Sequence, residues 1–142
     1  MPTASSVLAE RFWPAVPDHI WDSIREEFTL PTATELESHF QVAGDPEAMR
    51  RAVRVFIDEG TFCPGFQLRD GLLHEPVLWL FEDALTLKVP HNVFAAWMVS
   101  ALPGAAGAGS GIRPVDRLNN LPQLRDALAV FANRYRPVEK RR

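Results

Sequence analysis

The chain has 142 residues, a formal net charge of −3 and one cysteine. That length suits one domain able to bury its own core, so folding needs neither disulfides nor a metal. Cys63 alone excludes an intramolecular disulfide and a cysteine-based zinc site. No apolar run approaches the roughly 20 residues of a membrane-spanning helix, so no membrane partner is expected. No charged, apolar leader opens the chain, and a cytoplasmic location is expected.

Charge is unevenly spread. Residues 1–49 are strongly acidic, with Arg11 and Arg25 the only basic side chains besides His19 and His39. Residues 50–69 reverse the sign through Arg50, Arg51, Arg54 and Arg69, and the end is basic again from Arg134 onward. Nucleic acid is compatible with those local clusters, but broad electrostatic wrapping has no support.

Residues 1–17, with three prolines, are expected to form an N-terminal arm pinned by Phe12, Trp13 and Val16. A first helix is predicted over 18–28, capped by Asp18, with Ile20, Ile24 and Phe28 on its apolar face. Thr32-Ala33-Thr34-Glu35 spells a capping box that opens a short helix to about Phe40. A third helix is predicted over 46–58: Asp45 caps, Pro46 sits at the first position, and Gly60 follows the end. Its apolar stripe is Met49, Ala52, Val53, Phe56 and Ile57.

Asp70-Gly71 then signals a lone short hairpin or an irregular turn over 66–75, in a linker spanning 61–75. Pro76 starts a helix to Leu87 with Val77, Leu80, Phe81, Ala84 and Leu85 inward and Trp79 off the stripe. Asn92 caps a helix from Val93 to Val99, and a Gly/Ala-rich loop covers 101–111. Pro114 opens a short turn, and a last helix runs from Pro122 to Tyr135 with Leu124, Leu128 and Phe131 aligned. The expected fold is all-α: a helix-turn-helix-like region over 18–60, then a small helical bundle over 76–136 and a basic tail over 137–142.

Little in the chain suits catalysis. The four histidines, His19, His39, His74 and His91, include no i, i+4 pair for a metal, and the glycines at 104–111 follow no strand as a phosphate loop would. Cys63 beside Phe62 and Phe66 has the setting of a small buried apolar residue, not a nucleophile. The carboxylate pairs Glu26/Glu27 and Asp58/Glu59 point to different faces of a helix. Neither an enzyme nor a cofactor is expected.

The helices 33–40 and 46–58 outline a helix-turn-helix, with Leu36, Phe40, Val42, Met49 and Val53 as its small core. Arg50, Arg51 and Arg54 stand away from that core and are the candidate DNA-binding residues, since guanidinium groups suit phosphates and guanine edges. The expected DNA is the protein's own promoter. Four tryptophans and nine phenylalanines are a large aromatic load, so a homodimer is also expected.

The segment Gly60–Gly71 is similar to the linker after the helix-turn-helix in a group of bacterial regulators. Beyond it, Val77-Leu-Trp-Leu-Phe81, Trp97, Gly111-Ile-Arg-Pro-Val-Asp-Arg-Leu118 and Leu124–Leu128 resemble the toxin-binding domain of the Xre/MbcA/ParS antitoxin family. The family's tryptophan, then Gly-x-x-Pro-x-x-x-Leu, fall at Trp97, Gly111, Pro114 and Leu118, although the Gly/Ala insertion is longer than the family's loop. The resemblance implies a regulator that dimerises and neutralises a RES-type toxin. Its implied partner-binding residues are Trp97, Arg113, Pro114, Asp116 and Arg117, with Arg136, Lys140 and Arg141 of the tail. A protein-interaction module without DNA binding is the alternative.

Overall fold

A computed structural model describes residues 15–58, 60–101 and 112–135. Its helices are α1 (Asp18–Glu27), α2 (Ala33–Val42), α3 (Glu75–Thr86), α4 (His91–Met98) and α5 (Leu121–Tyr135). Its strands are β1 (Val55–Ile57), β2 (Gly60–Phe62), β3 (Leu68–Arg69) and β4 (Leu72–Leu73), and short 3-10 turns lie at Pro46–Arg50, Gly65–Gln67 and Pro114–Asp116. The first fourteen residues of the arm, the Gly/Ala-rich loop over 102–111 and the tail with Arg136, Lys140 and Arg141 lie outside the described residues. Among the described residues no helix is long and apolar enough to cross a membrane.

The all-α expectation is corrected, because two antiparallel two-stranded sheets accompany the helices. The larger correction concerns 46–58. Only Pro46–Arg50 is helical, as one 3-10 turn, and the chain is extended by Val55. The reason is local. Val53, Val55 and Ile57 are β-branched and alternate with Arg54 and Phe56, a period of two that suits a strand and crowds a helix. Val53 and Val55 are fully buried while Phe56 is 59% exposed, so the alternation is also the burial pattern. Gly60 does not stop a helix; it begins β2, which pairs with β1 in the register Val55↔Phe62, Phe56↔Thr61 and Ile57↔Gly60. An isolated bridge from Thr32 to Phe62 adds a third extended segment beside β2.

The capping box is present as expected. Glu35 N–H donates to Thr32 Oγ1 at 3.1 Å, and Thr32 N–H donates to Glu35 Oε1 at 2.9 Å. The Asp70-Gly71 hairpin also forms, with Leu68↔Leu73 and Arg69↔Leu72 paired. Both turn residues take positive φ, 55° at Asp70 and 79° at Gly71, as a two-residue hairpin requires. Two expected caps differ: Pro17 occupies the N-cap of α1 with Asp18 inside the first turn, and Pro90 precedes α4. Asn92 is used elsewhere, as shown below.

One apolar cluster joins Trp21 and Ile24 of α1, Val53 and Val55, and the inner faces of α3, α4 and α5. Rings run through it in sequence: Phe81 to Phe94 at 5.3 Å, Phe94 to Trp97 at 6.2 Å and Trp97 to Phe131 at 6.4 Å. A smaller cluster of Leu36, Phe40, Ala48, Ala52 and Cys63 packs α2 on the 3-10 turn and the residues after β2. Val42 and Leu85 were expected inside but are 90% and 49% exposed, each beyond the edge of its helix's buried stripe.

Candidate functional site

The extended segment 53–56 carries peptide groups that β2 does not pair. Side chains meet them. Val53 N–H donates to Gln67 Oε1 at 2.7 Å, and Gln67 Nε2 donates to the carbonyls of Val53 and Pro64, both at 3.0 Å. Three residues on, Asn92 does the same for Phe56: its amide accepts from Phe56 N–H and donates to Phe56 C=O, each at 2.9 Å. Between them, His91 Nδ1 donates to the Arg54 carbonyl at 3.0 Å. The two primary amides thus stand in for peptide partners: Gln67 fastens Val53 to the Gly65–Gln67 turn, and Asn92 fastens β1 to the start of α4.

This fastening creates a cleft of about 680 Å³. Ala15, Val16, Asp18 and Trp21 form one wall, Phe56, Ile57 and Asp58 a second, and Pro90 to Val93 the third. The volume falls in the range of natural ligand pockets. Phe56 lies 6.3 Å from the His91 ring, which in turn meets the edge of Phe81 at 4.9 Å. Burial holds the His91 pKa below its ordinary value, with the Arg54 charge acting the same way and the hydrogen bond to the Arg54 carbonyl opposing both. The ring is therefore neutral near pH 7, with Nδ1 as donor and Nε2 as acceptor. Sequence reasoning missed this site, since its walls come from three distant segments; only the alternation over 53–57 signalled that Phe56 would face outward.

The residues expected to bind DNA are separated. Arg50 ends the 3-10 turn and pairs with Glu47 at 3.1 Å. Arg51 reaches across to α3, 3.2 Å from Glu75 and 4.0 Å from Glu82. Arg54 is half-buried in the extended segment. The recognition helix expected to present all three is not formed.

Of the residues expected to bind a partner, Trp97, Arg113, Pro114 and Asp116 make contacts within the chain. Trp97 is 5% exposed in the core and Pro114 is buried. Arg113 forms a bidentate pair with Glu27, both contacts at 2.7 Å, and also holds Asp116 at 2.8 Å and 3.1 Å. Those bonds hold the Glu27 carboxyl below the usual carboxylate range and push the Arg113 guanidinium up. The planar fork thus ties the 3-10 turn at Pro114–Asp116 to the end of α1. Arg117 remains exposed. Cys63 is fully buried and burial pushes its thiol up to about 11, which keeps it protonated at neutral pH. Among the described residues no cluster of three or more His, Cys, Asp or Glu could hold a metal ion. No family model, curated protein or solved structure matches the chain.

Proposed function

We propose that the chain is a cytoplasmic, antitoxin-like regulator that works through a protein partner, and that the partner seats on the cleft beside Phe56. One observation carries this reading. Phe56 is a large aromatic side chain left 59% exposed at the mouth of a concave surface, where a partner's apolar groups would remove it from water. The acidic first third of the sequence also favours a protein partner over nucleic acid. The resemblance to antitoxins makes a RES-type toxin the first partner to test. Reading promoter DNA through Arg50, Arg51 and Arg54 has no inserted helix to rest on, since that segment is a 3-10 turn and a strand. Trp79, 46% exposed on the outer face of α3, is the surface proposed for homodimer contact.

A photo-crosslinking phenylalanine analogue at position 56, placed in the producing cells, tests the reading. The expected result is one discrete conjugate with a second protein, absent when the analogue replaces the exposed Val130 instead. No conjugate, together with retention of the protein's own promoter DNA in a gel shift, would reverse the assignment in favour of DNA.

A further inference from the structure

The chemistry of the cleft narrows what it can accept, given that it seats a protein partner. We infer that it takes a cationic side chain, arginine or lysine, from a basic segment of that partner. The cleft is walled by aromatic and aliphatic groups, Trp21, Phe56, Ile57 and Val93, which suit the methylene stem and the flat face of a guanidinium. Its formally charged lining residues are Asp18 and Asp58, and neither is paired with a cation among the described residues. The nearest basic residue along α1, Arg25, is already engaged by Asp22 at 3.5 Å.

Acceptors predominate over charged donors on the side chains of the lining. Asn92 spends its oxygen and one Nδ2–H on the Phe56 backbone, and His91 spends its Nδ1–H on the Arg54 carbonyl. Beside the Trp21 indole N–H and the second Nδ2–H of Asn92, what remains on the side chains is acceptor capacity: two carboxylates and an imidazole Nε2. The first-turn amides of α1 and α4 do offer donors, but an anion approaching them would be repelled by Asp18 and Asp58, with no cation among the described lining residues to offset them. A group with donors and positive charge is complementary to both charged groups of the lining, Asp18 and Asp58; an anionic group is opposed by both.

The test uses the full chain and two N-acetylated, C-amidated peptides, Leu-Arg-Leu-Arg and its isosteric, uncharged citrulline counterpart. Amide and indole signals are followed by nuclear magnetic resonance during titration. The arginine peptide is expected to shift Phe56, Asp58, His91, Asn92, Val93 and the Trp21 indole saturably, and to bind at least tenfold more tightly than the citrulline peptide. The D18N/D58N double variant should erase that preference while leaving the remaining spectrum in place; asparagine tolerates the positive φ of 53° at Asp58, so the turn is kept. Equal binding of both peptides, or shifts that map elsewhere, would overturn the assignment. So would movement of the same cleft signals on deleting residues 136–142, because the chain's own basic end would then be the occupant. In the crosslinking experiment, an undiminished conjugate from the position-56 analogue in a D18N/D58N background would sink the cationic specificity alone and leave the protein-partner reading standing.

Discussion

Gln67 shows how much one side chain can hold. It is the sole buried polar residue among those described, and all three of its hydrogen bonds go to backbone groups at Val53 and Pro64. Leucine fits similar volume but strands the Val53 N–H and C=O without water. Gln67→Leu is expected to cost about 2–3 kcal/mol in a urea titration, well beyond the effect of a lost surface contact. Lys88 is the opposite case. It follows α3 at a φ of 64°, with Val89 N–H bonded to Ala84 C=O and Lys88 N–H to Leu85 C=O, the closing pattern that glycine normally occupies. Lys88→Gly should therefore raise stability by about 1 kcal/mol, measured as a higher denaturation midpoint at unchanged slope. Neither role is visible from residue type alone, although a capping glycine at position 88 would have been.

Elements in this protein are decided where local preference and available partners agree. The capping box at Thr32 and the Asp-Gly turn are self-contained, so they were legible in sequence and form as expected. The segment 46–58 carried two competing signals: helix punctuation at Asp45-Pro46 and a β-branched alternation from Val53. The first won for one turn and the second thereafter, because β2, Gln67 and Asn92 satisfy an extended chain there. Gly65 marks another contact that only folding reveals. A Cβ at that position would lie 2.1 Å from Thr29 Oγ1 and within 2.9 Å of the Thr29 backbone N and O. Its own N–H bonds to Thr29 C=O at 2.7 Å, so the two backbones cannot part without losing that bond. Gly65→Ala is expected to destabilise by about 1–3 kcal/mol, with thermal melting as the check.

At the scale of the whole molecule, the groups shifted in the acid range link protons with one sign. His74 and His91 are held below their ordinary value chiefly by burial, and Glu27 below its own chiefly by the hydrogen bonds from Arg113. In all three cases the unfolded chain binds more protons than the folded one, so stability rises with pH. The histidine contribution is complete above 6.5 and declines as pH falls toward their folded values. The Glu27 contribution is complete above 4.5 and is lost as pH falls through its lower folded value. A melting series from pH 8 to pH 3 should show two successive declines. His91→Asn, which keeps an N–H for the Arg54 carbonyl, should shrink the upper decline and leave the lower one; Glu27→Gln should shrink only the lower. A stability maximum below pH 5 would contradict the assignment.

The sequence by itself determined the helices whose apolar faces repeat at 3.6 residues, the Thr32 capping box and the Asp70-Gly71 turn, and the buried setting of Cys63 beside Phe62 and Phe66. These depend on contacts near in the chain, where side-chain type and spacing carry the energy. Tertiary structure decided the rest. Arg113 and Glu27 are 86 residues apart and Asn92 and Phe56 are 36 apart, so no local pattern could announce that one pair fastens a turn and the other a strand. The cleft follows from the same cause: Asp18, Phe56 and His91 become neighbours only after the core has drawn α1, β1 and α4 together around Trp21, Val55 and Phe94. An exposed phenylalanine is ambiguous in a sequence, because burial is a property of what packs against it.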